Sequence, residues 1–167
     1  MQKVQQARIA KTKLWYEDRI TFKRQLIVEL AAFVAKCEKY NKKPACRLNI
    51  LSDIVWERIF PDIFTLFPMV QFYDYTKHSQ RIYSKLPSNY HLTFSRSEIN
   101  EDTALFILNN KIANVAVVFH EIPETWNGFP VKYGDEDDLR FLDPGPGYVI
   151  GLKAKGRAKH DTQGFVV

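Results

Sequence analysis

Two stretches decide how this chain folds: Tyr90-His91-Leu92-Thr93-Phe94-Ser95 and Asn114-Val115-Ala116-Val117-Val118-Phe119. Both are short and rich in β-branched and aromatic residues, and both give way to polar or charged positions. A strand covered on both faces reads this way. Residues 45–50, 69–73 and 148–153 have the same form, and a weaker candidate spans 130–133. Most starts fall roughly 20 to 25 residues apart, enough for strand, loop, helix and loop. Between the runs, residues 54–67, 77–85 and 101–109 have room for short helices. The expectation is a set of parallel β/α repeats with five or six strands. That is fewer than a closed (β/α)8 barrel needs, so the repeats point to an incomplete or degenerate barrel.

Before the first strand the chain reads as helix. Residues 3–16 and 18–40 are predicted helices, broken at Glu17-Asp18, where an acidic pair suits a new helix N-terminus. Leu26, Leu30, Phe33, Val34 and Cys37 recur at spacings of three and four, the apolar stripe of an amphipathic helix. Cys37 is therefore expected to serve as a buried hydrophobe. Pro44, after Asn41-Lys42-Lys43, stops the second helix. The 167 residues are read as one α/β domain: a basic helical segment over 1–43, then β/α repeats and a basic tail over 44–167.

Composition removes several classes of function. With 46% hydrophobic residues, including twelve Phe, eight Tyr and three Trp, the chain can bury a real core, which excludes general disorder. No window approaches the roughly 18 apolar residues of a membrane span, and Met1 to Gln6 has no apolar signal-peptide region. A cytoplasmic location with no membrane partner is the expectation. Cys37 and Cys46 have neither a CxxC nor a zinc-site spacing, so neither a metal nor another cofactor is expected.

The formal net charge of +5 is unevenly divided. Residues 1–43 carry eleven Lys/Arg against four Asp/Glu, residues 44–150 nine against fourteen, and residues 151–167 four against one. Two basic ends around an acidic middle could steer a polyanion if the ends meet in the fold. Lys153, Lys155, Arg157 and Lys159 alternate with small residues. In an extended chain all four charges would lie on one face, forming a phosphate-contacting stripe. On the first helix Arg8, Lys11 and Trp15 share a face and offer a cationic, aromatic surface.

Several strings carry a resemblance. Val4 to Lys13, Arg47-Leu48-Asn49 with Ser52-Asp53-Ile54, Gln71 to Lys77 and Asn89 to Ser95 are similar to a bacteriophage protein family with no established activity. Asn114 to Phe119, Asp137 to Pro144, Gly151 to Gly156 and Gly164 to Val167 continue the similarity over nearly the whole chain. The resemblance implies a phage origin and a barrel-like β/α fold. Longer members carry an N-terminal cysteine cluster that would precede Val4, so any metal or iron-sulfur function of that cluster is not expected here.

In parallel β/α folds the ligand site lies beyond the carboxyl ends of the strands, where the βα loops converge. The residues at those ends are Asn49, Ser52 and Asp53; Asp74, Tyr75, Thr76 and Lys77; Ser95, Arg96 and Ser97; His120 with Glu121; then Asp135, Asp137 and Asp138, and Lys153 and Lys155. Asp53 also suits an N-cap for a helix beginning at Ile54. The run Asp135 to Asp138 lacks the glycine and distal glutamate of an EF-hand loop. His120-Glu121-Ile122-Pro123-Glu124 lacks the second histidine of a zincin and carries a helix-breaking proline. No nucleophile elbow, Walker loop or dinucleotide-binding glycine fingerprint occurs. Gly145, Gly147 and Gly151 suit a tight turn into the final strand.

The leading expectation is a phage accessory protein that binds a phosphate-rich ligand, nucleic acid or nucleotide. The ligand would be held through Asn49, Ser95, Lys153, Lys155, Arg157, Lys159, Arg8 and Lys11. The alternatives are an enzyme acting on a small phosphorylated substrate through Asp53, Asp74, Lys77, Arg96 and His120, or an inhibitor that binds a host nucleic-acid-handling or defence protein. An open sheet edge also favours a homodimer unless the N-terminal helices cover it.

Overall fold

The computed structural model describes residues 2–167, with side chains from Val4 onward. Two helices, α1 (Gln2–Glu17) and α2 (Arg19–Lys39), open the chain. The break between them falls at Asp18, whose carboxylate accepts hydrogen bonds from the Thr21 backbone N–H (2.9 Å) and hydroxyl (2.6 Å). This N-cap satisfies donors that the helix itself leaves without acceptors. Leu30 and Val34 are buried on the expected stripe of α2, while Cys37 is only half-buried at its edge.

Seven strands follow: β1 (Ala45–Arg47), β2 (Gln71–Thr76), β3 (Tyr90–Ser95), β4 (Val115–Phe119), β5 (Thr125–Trp126), β6 (Phe129–Tyr133) and β7 (Val149–Lys153). Four helices lie between them: α3 (Trp56–Ile59), α4 (Asp62–Leu66), α5 (Ser79–Ile82) and α6 (Glu101–Asn109). Pro61 separates α3 from α4 and divides the single helix expected over 54–67. The strand order is β1-β2-β3-β4-β7-β6-β5, parallel throughout except for the antiparallel β5–β6 pair. The sheet is open, which corrects the expectation of a degenerate barrel. The order advances in one direction as far as β4, and β7 then inserts between β4 and β6, so β1 and β5 end on opposite edges. Those edge strands have three and two residues, leaving little unpaired backbone for a second copy to use.

Register separates the two faces of the sheet. Phe72 aligns with Tyr90, Asp74 with Leu92, Phe94 with Val115, and Val115 with Val149. On this face Phe72 and Leu92 pack against Trp56, Phe60, Ile63 and Phe64. Phe94, Val115 and Val117 pack against Ala104, Ile107 and Leu108 of α6. Successive right-handed crossovers that advance in one direction place their helices on the same side, so one face holds the helical core. The second face carries Tyr73, His91, Tyr75, Thr93, Ala116, Ile150 and Leu152. Irregular chain covers it instead of helices. Phe141 packs on Tyr73 with ring centroids 5.5 Å apart, and the tail pairs beside the end of β4 through the parallel Val118–Val166 bridge. Arg140, only 2% exposed, pairs with Asp143 at 3.3 Å and donates to the Asp137 carbonyl at 2.7 Å. Gly134 makes this cover fit, because a Cβ there would lie 2.5 Å from Ile150 Cγ2 and 2.6 Å from the Arg140 guanidinium. Among the described residues no helix is long and apolar enough to cross a membrane.

Candidate functional site

The carboxyl ends of the parallel strands all point to one end of the molecule, but the sheet itself divides the residues expected to meet there. On the helical side a polar network fills the space beneath the β1 and β2 loops. Asp74, fully buried, accepts from the Asn49 backbone N–H (2.6 Å), Asn49 Nδ2 (3.2 Å) and the Tyr90 hydroxyl (2.7 Å). Asn49 Oδ1 in turn accepts from the Ser52 hydroxyl, the Ile54 backbone N–H and Trp56 Nε1. Its two ends therefore hold both sides of the 49–56 loop. Asn49 and Asp74 are framework, with every side-chain polar atom occupied inside the protein.

Asp53 is also a tether and not the expected helix cap, since α3 begins only at Trp56 and Val55 occupies its cap position. The Asp53 carboxylate accepts from the Thr76 hydroxyl (3.0 Å), the Lys77 backbone N–H (2.8 Å) and Arg81 (2.5 Å). Arg81 is itself buried, forks onto Glu57 at 2.9 Å through both Nε and NH2, and donates to the Tyr90 hydroxyl at 2.8 Å. The network therefore runs Asp53, Arg81, Tyr90, Asp74, Asn49. Burial pushes the Asp74 carboxyl up to about 6, against the opposing pull of its Tyr90 and Asn49 hydrogen bonds. A carboxyl sealed from solvent in this way can exchange a proton but cannot reach a substrate.

On the opposite side of the sheet a cleft of about 530 Å³ opens at the same strand ends. Its walls bring together Arg47 at the end of β1, Tyr75 of β2, Ser95 of β3, Lys153 of β7 and the folded-back tail residues Ala158 and Phe165. Asp135, Asp137 and Asp138 form one wall, and each is engaged within the protein. Asp138 accepts from Arg47 (2.9 Å) and the Tyr75 hydroxyl (3.1 Å); Asp135 accepts from Lys155 (2.6 Å) and the Lys153 backbone N–H (2.7 Å). Asp137 accepts from the Leu139 backbone N–H at 2.8 Å. Burial alone would raise the Asp135 carboxyl; its bonds to Lys155 and Lys153 outweigh that and hold it below the ordinary value. Among the described residues no three His, Cys, Asp or Glu side chains converge to hold a metal ion.

The tail that closes the cleft is fixed by Arg96. Its guanidinium donates to the carbonyls of Gly164 and of Phe165 (3.1 Å) and pairs with Glu101. Backbone bonds from Val167 N to Val118 O and from His120 N to Val167 O, both 2.9 Å, finish the attachment. Phe165 is thus held at the cleft, and Lys77 Nζ lies over its ring at 5.3 Å. His120, exposed just past the carboxyl end of β4, has its side chain in neither the network nor the cleft lining.

Of the residues expected to share one site, Ser95, Lys153 and Lys155 line the cleft, and Lys77 reaches its rim through Phe165. Asn49, Asp53 and Asp74 lie across the sheet, and Arg96 acts through the tail. The extended basic stripe is corrected in its second half, because residues 156–160 form a 3-10 turn that breaks the alternation after Lys155. Arg157 and Lys159 remain exposed beside the cleft, and neither forms an ion pair with a carboxylate among the described residues. Arg8 and Lys11 line a separate, more apolar groove with Trp15, and Lys11 pairs there with Glu29 at 2.9 Å. Tyr75, expected at the end of its strand, does line the cleft, whereas Arg47 escaped the sequence reading because β1 stops at Arg47, short of the expected Ile50. Phe165 escaped it because nothing local shows that a tail folds back over a sheet.

No curated protein and no solved structure gives a significant match to this chain. A family model does match, over residues 1–167, and it agrees with the phage-family resemblance of the sequence. A match over the full length, strand ends and folded-back tail together, shows that the chain belongs to the Gene product 88 family.

Proposed function

We propose that this protein is a phage accessory protein that binds a phosphate-rich ligand, nucleic acid or nucleotide, at the mouth of the strand-end cleft. The observation that carries this reading is the distribution of pairing around that mouth. Inside the cleft the acids Asp135 and Asp138 already hold Lys155 and Arg47. Lys153 lines the cleft, Arg157 and Lys159 flank its lining residue Ala158, and Lys77 lies over the ring of Phe165; none of the four has a carboxylate partner among the described residues. An incoming phosphate therefore meets cations whose charge is not already compensated, beside two aromatic rings, Tyr75 and Phe165. The position agrees with the general rule that open parallel sheets bind ligands in a crevice outside the strand carboxyl ends.

The geometry gives the enzyme reading no comparable support. Asp53, Asp74, Lys77, Arg96 and His120 are divided among the polar network, the edge of the cleft at Phe165, a tail anchor and an exposed position past β4. The test is a fluorescence-anisotropy titration against single-stranded and duplex DNA and RNA at low ionic strength. Binding that weakens steeply with salt is expected, and its absence for all four, together with absence of nucleotide binding, would overturn the reading.

A further inference from the structure

A second cavity, of about 380 Å³, lies on the helical side of the β2 end. Its lining is Val55, Arg58, Lys77, His78, Ser79, Gln80 and Arg81, with no carboxylate among these residues. The nearest acids lie behind it: Asp53 and Glu57 hold Arg81, and Asp53 stands 3.8 Å from His78 Nε2. Arg58 and Lys77 form no ion pair among the described residues. Lys77 is the link between the two regions: it lines this cavity, and its ammonium lies 5.3 Å over the ring of Phe165, which lines the cleft on the other side of the sheet.

From this contact at the strand ends and the carboxylate-free lining we infer that the second cavity is an anion site for a phosphate monoester, the terminal phosphate of a ligand that passes around the end of β2 and has its base and sugar in the cleft beside Phe165 and Tyr75. The inference rests on the proposed phosphate-ligand reading and adds to it which end of the ligand is recognised and where. Arg58 offers a guanidinium fork, Lys77 a mobile ammonium, and Ser79 and Gln80 neutral donors. A monoester carries about −1.5 to −2 charge at neutral pH, against the single charge of a chain phosphodiester, so this cation set favours an end over an interior phosphate. The buried Arg81 is a positioning residue: compensated by Asp53 and Glu57, it sets the 77–81 turn and presents the cavity wall.

The shared chemistry is the monoester, and two sources could supply it, a 5′-phosphorylated strand or a free nucleoside monophosphate. Anisotropy of labelled single-stranded oligonucleotides with a 5′-phosphate or a 5′-hydroxyl separates these, with unlabelled nucleoside monophosphate as competitor. About tenfold tighter binding of the phosphorylated strand is expected, the gain from one charge-assisted hydrogen bond. Arg58→Gln should abolish that preference and leave hydroxyl-ended binding unchanged. Lys153→Ala should weaken both strands alike. A second measurement does not depend on the nucleic acid: pyrophosphate is titrated while backbone amide resonances are followed by NMR, and shifts at residues 77–81 that vanish in Arg58→Gln are expected. Equal affinity for the two ends overturns the terminal-phosphate assignment. If no oligonucleotide binds but pyrophosphate shifts these amides, the cleft reading fails and the anion site survives. If pyrophosphate leaves residues 77–81 unmoved, the anion site itself is wrong.

Discussion

Arg96→Ala tests how the cleft is built, because one buried side chain holds the tail that forms its wall. Arg96 is 7% exposed and donates to the Gly164 and Phe165 carbonyls while pairing with Glu101. Hydrogen bonds from a charged donor contribute about 1.5 to 3 kcal/mol each. The Glu101 bond counts for less, since its carboxylate is 42% exposed and screened by water. Removing the guanidinium should therefore destabilise the protein by about 3 to 4 kcal/mol. At this chain length that lowers Tm by roughly 10 °C. The loss should be concentrated in the tail. Amide exchange at residues 161–167 should quicken more than in β2 and β3, because Val166–Val118 and the 2.9 Å bonds of Val167 alone remain to hold it. Ligand affinity should fall with it, as Phe165 leaves the cleft and Lys77 loses its ring. Arg96→Lys should recover only part of the stability, since an ammonium cannot span both carbonyls and Glu101 in one plane. A Tm within about 2 °C of wild type, with unchanged exchange in the tail, would refute the argument that Arg96 anchors the wall.

Further outcomes follow from the network and the cover. Asp74 has a raised carboxyl pKa, about 6 against an ordinary 3.8, so the folded state binds its proton more tightly than the unfolded chain does. Its contribution to stability therefore rises as pH falls through 6 and is complete below about 4, amounting to about 3 kcal/mol. Asp74→Asn should remove this pH-dependent component, as read by urea unfolding between pH 7 and 4.5. Asn49→Ala should destabilise by about 2 to 4 kcal/mol, because Ser52, Ile54 and Trp56 all donate to its side-chain oxygen. Calorimetry checks this, and a loss under about 1 kcal/mol would contradict the framework role. Gly134→Ala should destabilise by about 1 to 3 kcal/mol, since a Cβ would overlap Ile150 and Arg140, and thermal melts should show it.

The parts of the fold that were legible in the sequence are those where local pattern and tertiary burial agree. The apolar run Val115 to Phe119, the α6 boundaries at Glu101 and Asn109, and the Asp18 cap all follow from period, composition and cap chemistry. The open sheet was not legible, because closure depends on where β7 inserts, and β7 reads the same beside β4 as at a barrel seam. The strand-end rule located the candidate residues along the axis of the sheet but could not assign them to a face. A shift of one position at a strand end sends Asp74 into the buried network and Tyr75 into the cleft. Charge pattern alone could not show which lysines were already paired. Lys155 and Lys159 look alike in the sequence, and only the fold brings Asp135 to one of them.

The central claim, that a phosphate-rich ligand meets the unpaired cations at the cleft mouth, is tested most directly by the salt dependence of binding to a single-stranded oligonucleotide. With contacts from Lys77, Lys153, Arg157 and Lys159, log affinity should fall against log salt with a slope of about −3. Replacing Lys153, Arg157 and Lys159 together with Ala should bring the slope to about −1 while the thermal melt stays close to wild type, since none of the three is paired in the fold. Absence of salt-sensitive binding in the wild-type protein, or an unchanged slope in the triple variant, would contradict the account.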